Sequence, residues 1–328
     1  MMNRQLKPLL LAASAVLLAT ACNDDNNGVD ISRPIDLHLA PAAPLTAETR
    51  AAIDAPNFDS DDVVGLYLAW ATDATAETGT AINASLVENT KWCNGQFEDE
   101  PLYWQNTVSY HTIYAYYPHT ADVTSDYKVA VSIKQDQNSA TAAADYEASD
   151  VLWAKHTGKA QNNLQLPLGH RMSLVTVTLK KGEGYGQDEE MPTIDKVELL
   201  KTGGFQLEGT MELADGDVTA SPAAADAAPA TTLTTYAYES DYRAILLPGE
   251  VISNVEDFIR IILADGTTYT YKPETAITTT ANTVYNFALE LNKAGVDLSG
   301  LTISKWGTTA SYEGGAGMEI PATQTPSN

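Results

Sequence analysis

The chain reads as an all-β protein built from sandwich layers, on three observations. Alternating or wholly apolar runs of strand length recur along it, turn signals separate them, and no segment sustains the period of a long helix. Composition agrees, since 44% of the 328 residues are hydrophobic, enough for real cores, and 19% are charged, too few for wholesale disorder. A chain of this length suits about two domains.

The N-terminus is a targeting signal. Arg4 and Lys7 form a charged leader, and Leu9 to Leu18 an apolar stretch too short to span a bilayer. Ala19, Thr20 and Ala21 then precede Cys22, and small residues before a cysteine resemble a bacterial lipobox, with Ala19 standing where leucine is usual. Residues 1–21 are thus expected to be a lipoprotein signal peptide, with Cys22 lipidated and anchoring the exported chain to the outer membrane. The alternative is ordinary signal-peptidase cleavage that leaves Cys22 a plain residue. The following Asn23-Asp-Asp-Asn-Asn27 resembles the acidic tags that route some lipoproteins to the outer surface. Cys93 is the one other cysteine and reads as a small buried residue without a disulfide partner.

Residues 22–50 read as a pro-segment that carries the first strand. Ile35, Leu37 and Leu39 alternate with Asp36, His38 and Ala40, the period of a strand with one buried face. A spacer, Pro41-Ala-Ala-Pro44, leads to Arg50, which is flanked by small or polar Glu48, Thr49, Ala51 and Ala52. Exposed segments of that kind are where proteases cut. Arg33 is a poorer target, because Pro34 follows it. A cut between Arg50 and Ala51 would make the strand around Ile35, Leu37 and Leu39 a separable piece, and its departure would leave an open sheet edge, a template for a strand from another chain. The alternative is a terminal strand followed by an ordinary linker.

Beyond Arg50 the elements follow in order. Val63–Trp70 is an apolar run of strand length, with Gly65 marking a bulge or a close backbone approach. Residues 71–90 read as loop, Trp92 as the start of a short strand and Leu102–Trp104 as another. Val108–Tyr117, dense in aromatic and β-branched residues and stopped by Pro118, is the clearest strand. Residues 135–148 read as loop with one helical turn, and strands follow at 150–154, 164–168 and 172–179. The glycines and acids of Lys180–Met191 mark a boundary, giving an N-terminal sandwich over 51–182 and a C-terminal one, with its tail, over 183–328. The second part has strands at 196–200 and 205–211, a low-complexity Ala/Pro/Thr loop over 219–234, and a strand at 242–247 ended by Pro248-Gly249. Phe258–Leu263 and Thr268–Tyr271 flank Asp265-Gly266, the signal of a two-residue hairpin turn. Strands at 284–291 and 301–306 close the chain.

The same residues offer little chemistry. With 19 Lys and Arg against 43 Asp and Glu, the formal net charge of −24 repels phosphate backbones and excludes nucleic acid as a partner. The histidines at 38, 111, 119, 156 and 170 form no metal-binding pair, so no metal or other cofactor is expected. His111 and His119 read as satisfied or surface residues, and His170 as serving a turn or a packed hydrogen bond. Asp59-Ser-Asp-Asp62 lacks the glycine and distal glutamate of a calcium loop. No nucleophile elbow or phosphate loop is present, so no enzyme activity is expected. Trp70, Trp92, Trp104, Trp153 and the tyrosines at 103, 110, 114, 116 and 117 offer the alternative of a monomeric surface lipoprotein that stacks glycans, against a default in which they form core.

The pieces Thr49-Arg50, Asp62–Tyr67, Leu102–Trp104, Tyr114–Pro118, Ser149–Ala154 and Leu168–His170 together resemble the fimbrillin family of secreted lipoprotein pilins. In the second half Ala244–Pro248, Tyr285–Phe287 and Ile303–Trp306 extend the resemblance in order across nearly the whole chain. It implies two tandem transthyretin-like β-sandwich domains, no enzyme activity, and cleavage of a lipidated precursor by an arginine-specific protease at Arg50. Loss of the strand at 35–41 would then open a groove that a neighbouring fimbrial subunit fills. Residues 307–328 hold few large apolar side chains, Tyr312, Met318 and Ile320 with Pro321 interrupting, which points to a tip or accessory subunit.

Overall fold

The structure, a computed structural model, describes residues 28–42, 57–71, 81–138, 144–186, 188–222 and 228–307. Along the first half run β1 (Leu37–Pro41), β2 (Val63–Trp70), β3 (Ser85–Cys93), β4 (Gln96–Phe97), β5 (His111–Tyr117) and β6 (Lys128–Ser132). After α1, one helical turn at Ala144–Glu147, come β7 (Leu152–Gly158), β8 (Leu164–His170) and β9 (Ser173–Lys181). Seven of these form one sheet in the order β1-β8-β7-β5-β2-β3-β4.

Its central strands are buried on both faces, which is why β2 reads as an unbroken apolar run. Val64, Leu66 and Leu68 enter one core cluster with Leu37, Leu39, Ile113 and Leu166, while Tyr67 and Ala69 point the other way into a larger one. Gly65 is a close approach: a Cβ there would lie 2.1 Å from Cε1 of the Tyr116 ring.

The second half supplies β10 (Ile194–Phe205), β11 (Glu208–Glu212), β12 (Val218–Ala220), β13 (Ala230–Thr234), β14 (Tyr236–Tyr238) and β15 (Asp241–Leu246). It continues with β16 (Val251–Ile252), β17 (Ile259–Leu263), β18 (Thr268–Tyr271), β19 (Ile277–Thr278), β20 (Thr283–Asn292) and β21 (Gly295–Lys305). These make a four-stranded sheet β13-β10-β17-β18, a five-stranded sheet β14-β15-β9-β20-β21 and the pair β16-β19. A three-stranded sheet β12-β11-β6 joins the halves. β9, ahead of the sequence boundary at 182, pairs with β15 and, in parallel, with β20. The larger core likewise unites Tyr67 and Tyr114 with Val177 and Phe287.

The protein is all-β, as its sequence predicts, but several segments differ from that reading. Residues 85–90, read as loop, belong to β3, where bulges opposite Leu66–Ala69 break the alternation and Asn89 takes a φ of 51°. Leu102–Trp104 is not a strand, although Leu102 and Trp104 are buried. β4, β6, β14, β16 and β19 lie outside the predicted strands, and β12 and β13 fall on the predicted Ala/Pro/Thr loop. The β17–β18 connection is a three-residue loop rather than a two-residue turn. Leu263 and Thr267 bracket it, Gly266 N–H donates to the Leu263 carbonyl at 2.9 Å, and Gly266 holds a φ of +87° that suits glycine.

Candidate functional site: the edge-strand groove

The alternation of Ile35, Leu37 and Leu39 is realised at the sheet's end. β1 runs parallel to β8 with Leu37 opposite Leu164, Leu39 opposite Leu166 and Pro41 opposite Leu168. Among the described residues β8 is its one neighbour in the sheet. At its two ends, Leu164 N–H donates to the Asp36 carbonyl at 2.8 Å and Ala42 N–H to the Leu168 carbonyl at 2.7 Å. Ahead of the strand, Ile35 N–H donates to the Leu102 carbonyl at 2.8 Å.

Ile35, Leu37 and Leu39 are 4%, 6% and 7% exposed. They pack in one cluster with Val29, Leu102, Trp104, Leu164, Leu166 and Leu168. On the other face His38 and Asp36 are exposed, their side chains 3.1 Å apart. The strand therefore binds by a backbone edge and a row of apolar side chains.

The rest of this cluster is fixed by hydrogen bonds from loops. Trp104 Nε1 donates to the Gln161 carbonyl at 3.0 Å, and His111 meets the Trp104 ring edge-on at 5.0 Å. His111 Nε2 accepts the Gln105 N–H at 2.9 Å. Burial pushes the His111 pKa down to about 4, so the ring is neutral at ordinary pH.

Where β1 ends, a corner from the far end of the chain closes the groove. Ala42 is 2% exposed, and a Cβ on Gly307 would stand 2.9 Å from its carbonyl oxygen. Gly307 has a φ of +94°, so both its conformation and this approach require glycine. The preceding Trp306 stacks on His170, ring centroids 3.9 Å apart and planes 3° from parallel. His170 Nδ1 lies 2.7 Å from Asp150 Oδ2, and Asp150 Oδ1 accepts the Val151 N–H at 2.9 Å. His170 thus makes the packed hydrogen bond its sequence context suggests.

The site brings together Ile35, Leu37 and Leu39 as the sequence predicts. Cys22, Arg50, Ala51 and the tail after Gly307 lie outside the described residues. Sequence reasoning missed Ala42, Trp306 and Gly307 as members; a buried small residue and a glycine carry no pattern that links distant strands.

The aromatic residues that offer glycan stacking divide between interior and partly exposed places. Trp92, Trp104, Tyr114 and Tyr116 are buried. Trp153 lies under Arg171, whose guanidinium carbon is 4.3 Å from the ring, and its Nε1 donates to the Leu213 carbonyl. Tyr103 is exposed, at 37%. Among the described residues no group of three or more His, Cys, Asp or Glu is placed to hold a metal ion, and no helix is long and apolar enough to cross a membrane.

Residues 49–306 match the sequence profile of a fimbrillin-like family. No curated protein matches the chain in sequence. Among solved structures, a cell adhesion protein from Bacteroides ovatus superposes with a TM-score of 0.60 at 20% identity, over 84% of this chain and 99% of that one. Another cell adhesion protein, from Bacteroides uniformis, gives 0.58 at 17% identity, over 76% and 93%. At such identities the likeness is one of fold.

Proposed function

We propose a role for the chain on a plain premise: it belongs to the fimbrillin-like family. It is a structural subunit of cell-surface fimbriae that serves adhesion. It is exported as a lipoprotein through Cys22, cut between Arg50 and Ala51 by an arginine-specific protease, and assembled with other fimbrial subunits by strand exchange. The division into two transthyretin-like sandwiches falls, in this reading, between β8 and β9, because β9 is bonded to second-half strands.

One observation carries the proposal. Among the described residues β1 is an edge strand held by a single neighbour, yet its apolar side chains complete a core cluster. Its departure would uncover Leu164, Leu166 and Leu168 together with the backbone edge of β8, and a second strand regains both kinds of contact. A glycan-binding monomer draws less support, since Trp92, Trp104, Tyr114 and Tyr116 are buried and Trp153 is covered by Arg171.

The test is Arg50→Ala in the expressing cell. The variant should fold, keep residues 35–41 attached and stay out of fimbriae. Normal assembly of the uncut variant would refute the proposal.

A further inference from the structure

We propose that the Trp306–Gly307 corner is a size-selective end stop of the β1 groove, so that any strand replacing β1 must carry a small residue where Ala42 sits. The inference rests on the strand-exchange reading and specifies its partner. That partner is an extended segment of another polypeptide running parallel to β8. It is apolar at the places of Ile35, Leu37, Leu39 and Pro41, unrestricted at the exposed places of Asp36 and His38, and small at the residue directly after the last apolar position.

The geometry supports a stop because the strand runs against a fixed corner at that point. Along β1 the strand faces side chains of Leu164, Leu166 and Leu168, which can repack around different apolar residues. At Ala42 it meets the Gly307 backbone instead: a methyl group on Gly307 would collide with the Ala42 carbonyl oxygen and stand only 3.3 Å from the Ala42 Cβ, so a longer side chain at this place runs into the corner. Ala42 itself is almost wholly enclosed.

The corner is also braced against movement. The Trp306 ring is stacked on His170, His170 is held by Asp150, and Trp306 N–H donates to the Asn282 carbonyl at 2.9 Å. Asp150 and His170 are themselves buried, so neither can swing away without losing its partner inside the protein. Any strand can satisfy the β8 edge, whereas this corner rejects one whose residue at the stop is large.

The experiment uses the full chain carrying Cys22→Ala for solubility, with hydrogen exchange read at the Ile35 and Ala42 amides. Ala42→Leu and Gly307→Ala should each speed exchange at Ile35 at least tenfold, whereas Ala42→Ser and His38→Leu should stay within about twofold. If Ala42→Leu behaves as His38→Leu does, there is no stop. In a second arm the same chain, cut after Arg50, is offered synthetic peptides of residues 33–43 with Ala or Leu at position 42. The Ala peptide should bind at least tenfold more tightly, and equal binding overturns the inference. If neither peptide enters, strand exchange itself fails, and the exchange data on the uncut chain still decide whether the stop exists.

Discussion

Replacing Leu39 by Ala tests whether β1 is held by the row of side chains that the structure gives it. Leu39 is 7% exposed and packs with Leu37, Leu164 and Leu166. Burial of this kind makes a leucine-to-alanine change cost 2–5 kcal/mol, and an edge strand can relax, so the lower part, about 2–3 kcal/mol, is expected. Since β1 pairs, among the described residues, with one strand of the sheet, its undocking is a partial opening rather than global unfolding. Hydrogen exchange at Ile35 and Ala42, whose amides donate to Leu102 and Leu168, reads that opening directly. At about 1.4 kcal/mol per factor of ten, exchange should rise roughly 30- to 150-fold. His38→Ala, on the exposed face of the same strand, should change it by no more than about twofold. Equal effects at 38 and 39, or none at 39, would refute the packing argument.

Three further outcomes are expected. His111 has its folded pKa lowered by burial to about 4 against an ordinary 6.5, so the unfolded state binds the proton more readily between those values. Its contribution is intact above pH 6.5 and is lost as pH falls toward 4, about 3 kcal/mol in all, and urea titrations should show a shallower acid loss for His111→Gln. Gly65→Ala should cost at least about 1–3 kcal/mol by chemical denaturation, because its methyl would collide with the Tyr116 ring. Cys22→Ala should abolish fatty-acid labelling and move the precursor out of the membrane fraction, and a variant that still takes up the label would exclude Cys22 as the anchor.

How far the sequence discloses this molecule depends on whether a feature is local. The buried row Ile35, Leu37, Leu39 and the closeness at Gly65 follow from alternation and from a lone glycine within an apolar run, and both are found. β3 escaped notice because Glu88 and Asn89 sit in a bulge that destroys the two-residue period. β13 lies in an Ala/Pro/Thr stretch whose composition resembles loop, although it bonds to β10. Pairing is a different matter, since periodicity tells which face of a strand is buried and not which strand lies beside it. That is why β9 was grouped with the strands before it, while its hydrogen bonds run to β15 and β20. The groove's end is illegible for the same reason. Trp306 reads as the end of a last strand and Ala42 as part of a linker, and the fold alone brings Gly307 against Ala42.

The central claim is that the strand Leu37–Pro41 leaves its sheet when the subunit joins a fibre, and the mass spectrum of the chain taken from sheared, purified fimbriae tests it most directly. The account predicts a subunit that begins at Ala51, with peptides from residues 22–50 missing from the filament although present in the membrane-bound precursor. Filaments in which this chain still carries Ile35, Leu37 and Leu39 would contradict it.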